Sequence, residues 1–70
     1  MGNTSLALLA GNKLRKLIKE TYPTQEDFAF EYPMDIRTVS RYINSGINKI
    51  NIIQELAEFF DVPFTYFFEE

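Results

Sequence analysis

The stretch TQEDFAFEYPMDIRTVSRYINSG, residues 24–46, decides the fold because it holds two short helical patterns in close succession. Thr24 is a good N-cap for the first helix, and the two acidic residues in its first turn favour the positive end of the helix dipole. Pro33 forces this helix to end by about Glu31, because the residue before a proline is pushed out of the α region. Its buried side is predicted to consist of Phe28, Ala29 and Tyr32.

A second helical pattern follows within a few residues. Asp35 is its predicted N-cap, and Gly46 can close it in the left-handed αL conformation. Two helices of about eight residues joined by so short a turn must cross at a steep angle, which predicts a helix-turn-helix from Thr24 to about Gly46. Ala29 fits this crossing, because a small side chain is needed where two helices approach. The inward side chains of the second helix are predicted to be Val39 and Tyr42, with Ile36 or Ile43 beside them.

The segment upstream of this unit is also helical in pattern, from about Leu6 to Thr21, with Thr4 or Ser5 as its N-cap. Gly11 weakens a helix interior by about 1 kcal/mol relative to alanine, which favours a later start at that residue. We therefore interpret residues 1–10 as an N-terminal extension or an early helix turn, and residues 11–70 as the domain.

Two more helices are predicted downstream, which makes the chain a compact all-α bundle of five helices. The fourth begins near Asn48–Asn51 and breaks at Asp61-Val62. Pro63 suits a first helical position and opens a short last helix that reaches Glu69. The predicted inward residues are Ile50, Ile53, Leu56, Ala57 and Phe60 in the fourth helix, and Phe64 and Phe67 in the last.

Composition limits the classes of function. Seventy residues allow one domain, and a chain of this size buries only about 60% of its unfolded surface. The absence of cysteine and histidine removes disulfides, thiolate metal sites and the commonest general base. We therefore expect no enzyme activity and no cofactor. No apolar run approaches the ~20 residues that cross a bilayer, so we expect no membrane association and a cytoplasmic location.

The net charge of −3 argues against binding to nucleic acid, but the charges are unevenly distributed. Residues 36–49 hold Arg37, Arg41 and Lys49 and no acidic residue, whereas residues 50–70 hold five acidic residues and no basic one. The local field near a site governs an anionic partner more than the total charge does. The chain is thus bipolar rather than uniformly acidic.

In four places the sequence resembles the Cro/repressor-type (Xre-like) helix-turn-helix domains of phage and bacterial regulators. The resemblance covers roughly Gly11 to Phe68 and implies a lambda-repressor-like bundle. Each fragment alone is weak, but the four follow one another at the spacing typical of the family. They are Gly11-x-x-Leu14-x-x-Leu17, Thr24-Gln25-Glu26-Asp27-Phe28-Ala29, Met34-Asp35-x-x-Thr38-Val39-Ser40-Arg41-Tyr42, and Ile53-x-x-Leu56-Ala57-x-x-Phe60-Asp61-Val62-x-Phe64-x-x-Phe67.

The resemblance implies a sequence-specific regulator of transcription, a repressor, that binds double-stranded DNA. The family's second helix begins with a glutamine whose amide contacts a DNA phosphate, and Gln25 occupies that position. Lys49 is a candidate for a further phosphate contact from the loop. The third helix lies in the major groove, which assigns base contacts to its outward residues. Those residues are Ile36, Arg37, Ser40 and Arg41, with Asn44 near the helix end.

Simpler interpretations remain open for several of these residues. Arg37 and Arg41 can be scattered charges on a solvated surface. Asn44 and Asn48 can be a C-cap and an N-cap, the role that we favour for both. Pro33 stands where the family has glycine, and proline cannot adopt positive φ, so the turn must be rebuilt.

The surplus aromatic residues Phe30, Phe59, Tyr66 and Phe68 suggest an interface, most simply that of a homodimer through Phe59, Tyr66 and Phe68. They can instead wrap a thin core, or be covered by a missing domain of a longer regulator. The alternative function is a protein-interaction module, such as an antirepressor, an antitoxin-like partner or a scaffold, that keeps the fold without binding DNA.

Overall fold

The computed structural model describes residues 5–32 and 34–69, and this part of the chain is all-helical and compact. It contains four α-helices, and the prediction of a fifth is wrong. The last segment is a 3-10 helix, in which Tyr66 and Glu69 each donate a backbone hydrogen bond to the residue three positions earlier. The elements are α1 (Leu6–Thr21), α2 (Gln25–Glu31), α3 (Ile36–Ser45), α4 (Ile50–Phe60) and the 3-10 helix (Phe64–Phe68).

Side chains cap the first three helices, as the sequence indicated. Ser5 caps α1, and its hydroxyl accepts a hydrogen bond from the Leu8 amide at 3.1 Å. Thr24 caps α2 and accepts from the Asp27 amide at 3.1 Å, while its own hydroxyl donates to the Asp27 carboxylate at 3.0 Å. Asp35 caps α3. The predicted caps at Thr24 and Asp35 are therefore confirmed.

The two asparagines do not cap helices. α3 continues past Asn44 to Ser45 and ends at Gly46, so the C-cap interpretation of Asn44 is wrong. The N-cap of α4 is Lys49, which makes no side-chain capping bond, so the N-cap interpretation of Asn48 is also wrong. Both side chains are exposed and free for other contacts.

α1 begins at Leu6, the earlier of the two starts that the sequence allowed. Gly11 does not mark a weak helix start. It lies buried where α1 crosses α3, and a Cβ atom at this position would collide with the Tyr42 carbonyl oxygen and lie 3.3 Å from the Gly46 Cα. The glycine is therefore required by the close approach of the two helices.

Gly46, at the C-terminal end of α3, makes a second close contact with α1. Its φ of 99° is positive, as expected, but its ψ of 166° is extended, so the predicted αL conformation is wrong. A Cβ here would lie 2.7 Å from the Ala7 carbonyl group, and the next amide, that of Ile47, donates to the Ala7 oxygen at 2.9 Å. The chain directly after α3 therefore packs against the first turns of α1.

Phe28 is the centre of an aromatic cluster that joins α2 to α4. It is fully buried, and its ring centroid lies 5.4–5.9 Å from those of Tyr22, Tyr32, Phe59 and Phe60. Edge-to-face and offset-stacked pairs of this kind stabilise a fold beyond the area that they bury. The remaining core side chains include Leu14, Leu17, Ile18, Val39, Ile43, Ile47, Ile53, Leu56 and Phe67.

Two predicted inward positions differ from the structure. Ile50 is 61% exposed, because the buried face of α4 starts only at Ile53. Phe64 is also exposed, since its ring packs on Phe68 rather than into the core. Phe60 and Tyr42 are half-buried and pack against the core, as predicted. Ile43 takes the buried place beside Val39.

The connection between α2 and α3 folds back on α2. The Met34 amide donates to the Ala29 carbonyl at 3.3 Å, and Ala29 is half-buried against the core. The predicted rebuilding of the turn at Pro33 lies outside the described residues. Within those residues, none of the helices combines the length and apolarity that a bilayer crossing requires.

Tyr32 and Glu55 link the end of α2 to α4 through a polar contact. The phenol hydroxyl donates to the Glu55 carboxylate at 3.2 Å. Burial raises the pKa of Tyr32 to about 12, and the hydrogen bond and negative charge of Glu55 add to this effect. The neutral phenol is therefore the form that the fold favours.

We expect Gly11→Ala to destabilise the protein by about 1–3 kcal/mol, the usual cost of overpacking, although alanine is the better helix former. Its methyl group would collide with the Tyr42 carbonyl oxygen. Asn12→Ala is the matched control, because Asn12 is exposed in the same helix. Urea denaturation monitored by circular dichroism gives both free energies of unfolding. A Gly11→Ala protein as stable as the Asn12→Ala protein would contradict the tight crossing.

We expect the stability of the protein to fall as the pH rises from 10 towards 12, because Tyr32 has a higher pKa in the folded state. Its contribution is complete below its ordinary pKa and is lost as the pH rises through the folded value. Near-ultraviolet titration of tyrosinate and denaturation at several alkaline pH values measure both quantities. Glu55→Gln should lower the pKa of Tyr32 without restoring its ordinary value, since burial is the largest cause. An unchanged alkaline stability loss in Tyr32→Phe would refute the assignment.

Candidate nucleic-acid interface

α3 has two chemically different faces. Val39 and Ile43 are buried against α1 and α2, the helices on which α3 packs. Arg37, Arg41 and Asn44 are exposed. Because they follow one another at intervals of four and three residues, they share one side of the helix. α3 therefore presents a row of two guanidinium groups and an amide to the outside.

Arg37 stands at the start of this row and contacts the N-cap residue. Its Nε lies 3.8 Å from Asp35 Oδ1, and the two side chains are 91% and 58% exposed. The same Oδ1 accepts a hydrogen bond from the Arg37 backbone amide at 2.7 Å. An ion pair so exposed adds little to stability. The contact places a carboxylate oxygen beside the Nε edge of the guanidinium.

Arg41 and Lys49 line one open depression of about 290 Å³ at the end of α3. The Arg41 guanidinium lies 6.0 Å from the centroid of the Tyr42 ring, within the range of a cation–π contact. Residues 36–49 contain no acidic side chain, so the depression combines two cations with neutral polar groups. The other lining residues are Tyr42, Ser45, Gly46 and Asn48.

Gln25 lies in a different groove, of about 200 Å³, between the end of α1 and the start of α2. Arg15 and Lys19, to which the sequence analysis gave no role, line this groove as well. Their four-residue spacing just upstream of Thr24-Gln25 was the available signal. Burial raises the pKa of the Tyr22 phenol in the same groove, and the Glu31 carboxylate adds to the shift.

Two of the residues assigned to base contacts are less exposed than the others. Ile36 is half-buried and packs against the core, because it continues the stripe formed by Val39 and Ile43. Ser40 is also half-buried. The outward set of α3 is thus narrower than predicted: Arg37, Arg41 and Asn44.

The aromatic residues proposed as an interface differ in how exposed they are. Tyr66 and Phe68 are half-buried and pack against the core, as expected of rings that wrap a thin core. Phe59 is 40% exposed, although its ring centroid lies 5.0 Å from that of Tyr32 and 5.2 Å from that of Phe60. Phe30 is 86% exposed on α2. Their description as surplus is wrong for Tyr66 and Phe68.

Comparisons of the chain with protein-family models, with curated proteins and with solved structures gave no match. The class of ligand that this surface can bind therefore has to be inferred from the chemistry of its own side chains. Guanidinium, ammonium and amide groups donate hydrogen bonds to phosphate oxygens and to the acceptor atoms of bases. The exposed side of α3 and the loop after it offer those groups without an acidic residue between positions 36 and 49.

Proposed function

We propose that this protein is a sequence-specific regulator of transcription, a repressor, in which α2 and α3 form a helix-turn-helix and α3 enters the major groove of double-stranded DNA. The observation that carries the proposal is the two-sided character of α3. Its 10 residues span about 15 Å at 1.5 Å per residue. The major groove, about 12 Å wide, admits a helix of this kind.

Contacts to the DNA backbone come from the groups beside α3. Lys49 and Arg41 share the depression at the end of the helix, where a phosphate would meet two cations. Gln25 contributes its amide from the other groove, together with Arg15 and Lys19. These positive groups offset the net charge of −3 locally, because exposed charges more than about 10 Å apart are largely screened at 0.1 M salt.

Repression follows from occupancy of an operator. A two-fold dimer would place two copies of α3 about 34 Å apart, one turn of the DNA helix, on a palindromic site. In this arrangement each α3 contacts one half-site. Dimerisation is part of the proposal, with Phe59 as the more exposed of the three candidate rings Phe59, Tyr66 and Phe68.

We expect binding to a selected duplex that weakens steeply as salt increases, since each phosphate contact releases counterions. Arg37→Ala or Arg41→Ala should each reduce specific affinity by about 5- to 150-fold, the ~1–3 kcal/mol of a bidentate base contact. Lys16→Ala is the matched control, because Lys16 is an exposed cation on α1 that lines neither groove. Fluorescence anisotropy at two salt concentrations measures these affinities.

Equal affinity for the selected and a scrambled duplex would argue against sequence-specific binding. Failure to enrich any motif would favour the protein-interaction module instead. The exposed Phe30, on a helix whose charged residues are all acidic, is the observation that supports this second candidate. A partner protein retained by the Arg37→Ala, Arg41→Ala double variant would establish it.

We expect sedimentation equilibrium to show a dimer that Phe59→Gln weakens, because a polar side chain would replace the exposed part of the ring. Phe30→Gln is the matched control and should leave the dimer intact. A circular dichroism spectrum of each variant checks that the helices are kept. Dissociation by Phe30→Gln alone would move the interface to α2, and a monomer even on operator DNA would exclude the dimer.

A further inference from the structure

We propose that Asp35 is a positioning residue that orients Arg37 to bind one guanine of the operator. This inference rests on the proposed function and adds to it a base and a second residue. It starts from the ion pair at the beginning of α3, the one ion pair found among the described residues.

Asp35 is held in place by the start of the helix. Its Oδ1 accepts from the Arg37 amide at 2.7 Å, and its backbone carbonyl accepts from the amides of Thr38 at 2.9 Å and Val39 at 3.1 Å. Val39 is fully buried. The carboxylate is therefore anchored to the core through α3 and gives Arg37 a fixed electrostatic partner.

The contact involves the inner side of the guanidinium group. Oδ1 faces Nε at 3.8 Å, an electrostatic contact too long for a hydrogen bond. A carboxylate that attracts the guanidinium at Nε leaves its two terminal amino groups available to another acceptor. Guanine presents two neighbouring acceptors, O6 and N7, in the major groove, and the forked end of an arginine fits them in a bidentate manner.

Arg41 provides a comparison within the same helix. It lies one turn further along, about 6 Å in rise, or roughly two base-pair steps of 3.4 Å. It is exposed like Arg37, but its guanidinium stands beside the Tyr42 ring instead of a carboxylate. Loss of the Asp35 charge should therefore affect base discrimination by Arg37 and leave that by Arg41 unchanged.

The test begins with the operator selected by the native protein. The base pair recognised by Arg37 is the one whose preference disappears in Arg37→Ala, and Arg41→Ala identifies its counterpart. Asp35→Asn then removes the charge while keeping an N-cap of equal quality. Asp35→Ser is the second variant, since serine also caps well and has no carboxylate. Thermal unfolding confirms that both variants fold.

We expect two opposite effects in both variants. Affinity for a random duplex should rise, because a negative charge near the phosphates is gone. The preference for guanine at the Arg37 position should fall roughly tenfold, within the ~5- to 150-fold that a bidentate contact provides. A role in capping alone would produce neither effect, and repulsion alone would raise affinity for all bases equally.

Three results would overturn the inference. Discrimination at the Arg37 position that is unchanged in Asp35→Asn would show that the carboxylate does not position the arginine. An operator without guanine at that position would show that Arg37 recognises another group. Both results leave the proposed function intact, whereas a selection that enriches no motif would remove the proposed function and this inference together.

Discussion

The fold depends on the close contact between α1 and the two ends of the Tyr42–Gly46 segment. Gly11 allows the Tyr42 carbonyl to approach the α1 backbone, and Gly46 allows the chain to pass Ala7. The hydrogen bond from the Ile47 amide to Ala7 then fixes the exit from α3. Because both ends of this contact involve backbone atoms, a rotation of α3 about its axis would break the close approach or the hydrogen bond. The orientation of its polar face therefore depends on the absence of a Cβ atom at Gly11 and Gly46.

The aromatic cluster around Phe28 supports α3 from the other side by holding α2 against α4. Several acidic residues serve this scaffold: Asp27 bonds to the cap of α2, Asp35 caps α3, and Glu55 accepts from Tyr32. A negative net charge is therefore compatible with a locally positive surface. The acids stabilise helix starts and contacts between helices, while residues 36–49 stay free of them.

Local features of the fold were predictable from the sequence, and tertiary ones were not. The caps at Thr24 and Asp35 follow from residue type within one turn, as does the break at Asp61, whose φ of 58° is left-handed. The role of Gly11 depends on another helix, so its low helix propensity did not predict it. For Gly46, the end of α3 and the positive φ were predicted, but the extended ψ with which the chain passes α1 was not. The exposure of Ile50 likewise depends on where α4, which begins at this residue, meets the core. For the candidate site, the family resemblance placed Arg37, Arg41 and Asn44 on the outward face of α3. It also placed Ile36 there, while the helical pattern allowed Ile36 on the inward side, and only the packing shows that it lies against the core.

Under the proposed function, the charge of Asp35 has a cost in DNA binding beside its capping bond and its favourable interaction with the helix dipole. Asparagine and serine cap helices about as well as aspartate, and neither would repel the phosphates of DNA. A carboxylate at the start of the DNA-facing helix weakens binding to every sequence unless it contributes to recognition. If Asp35 positions Arg37 as we infer, their contact supplies that contribution, because a guanidinium already oriented by a carboxylate loses less rotational freedom when it binds a base. The Asp35 carboxylate would then both weaken binding to DNA of any sequence and improve discrimination between bases.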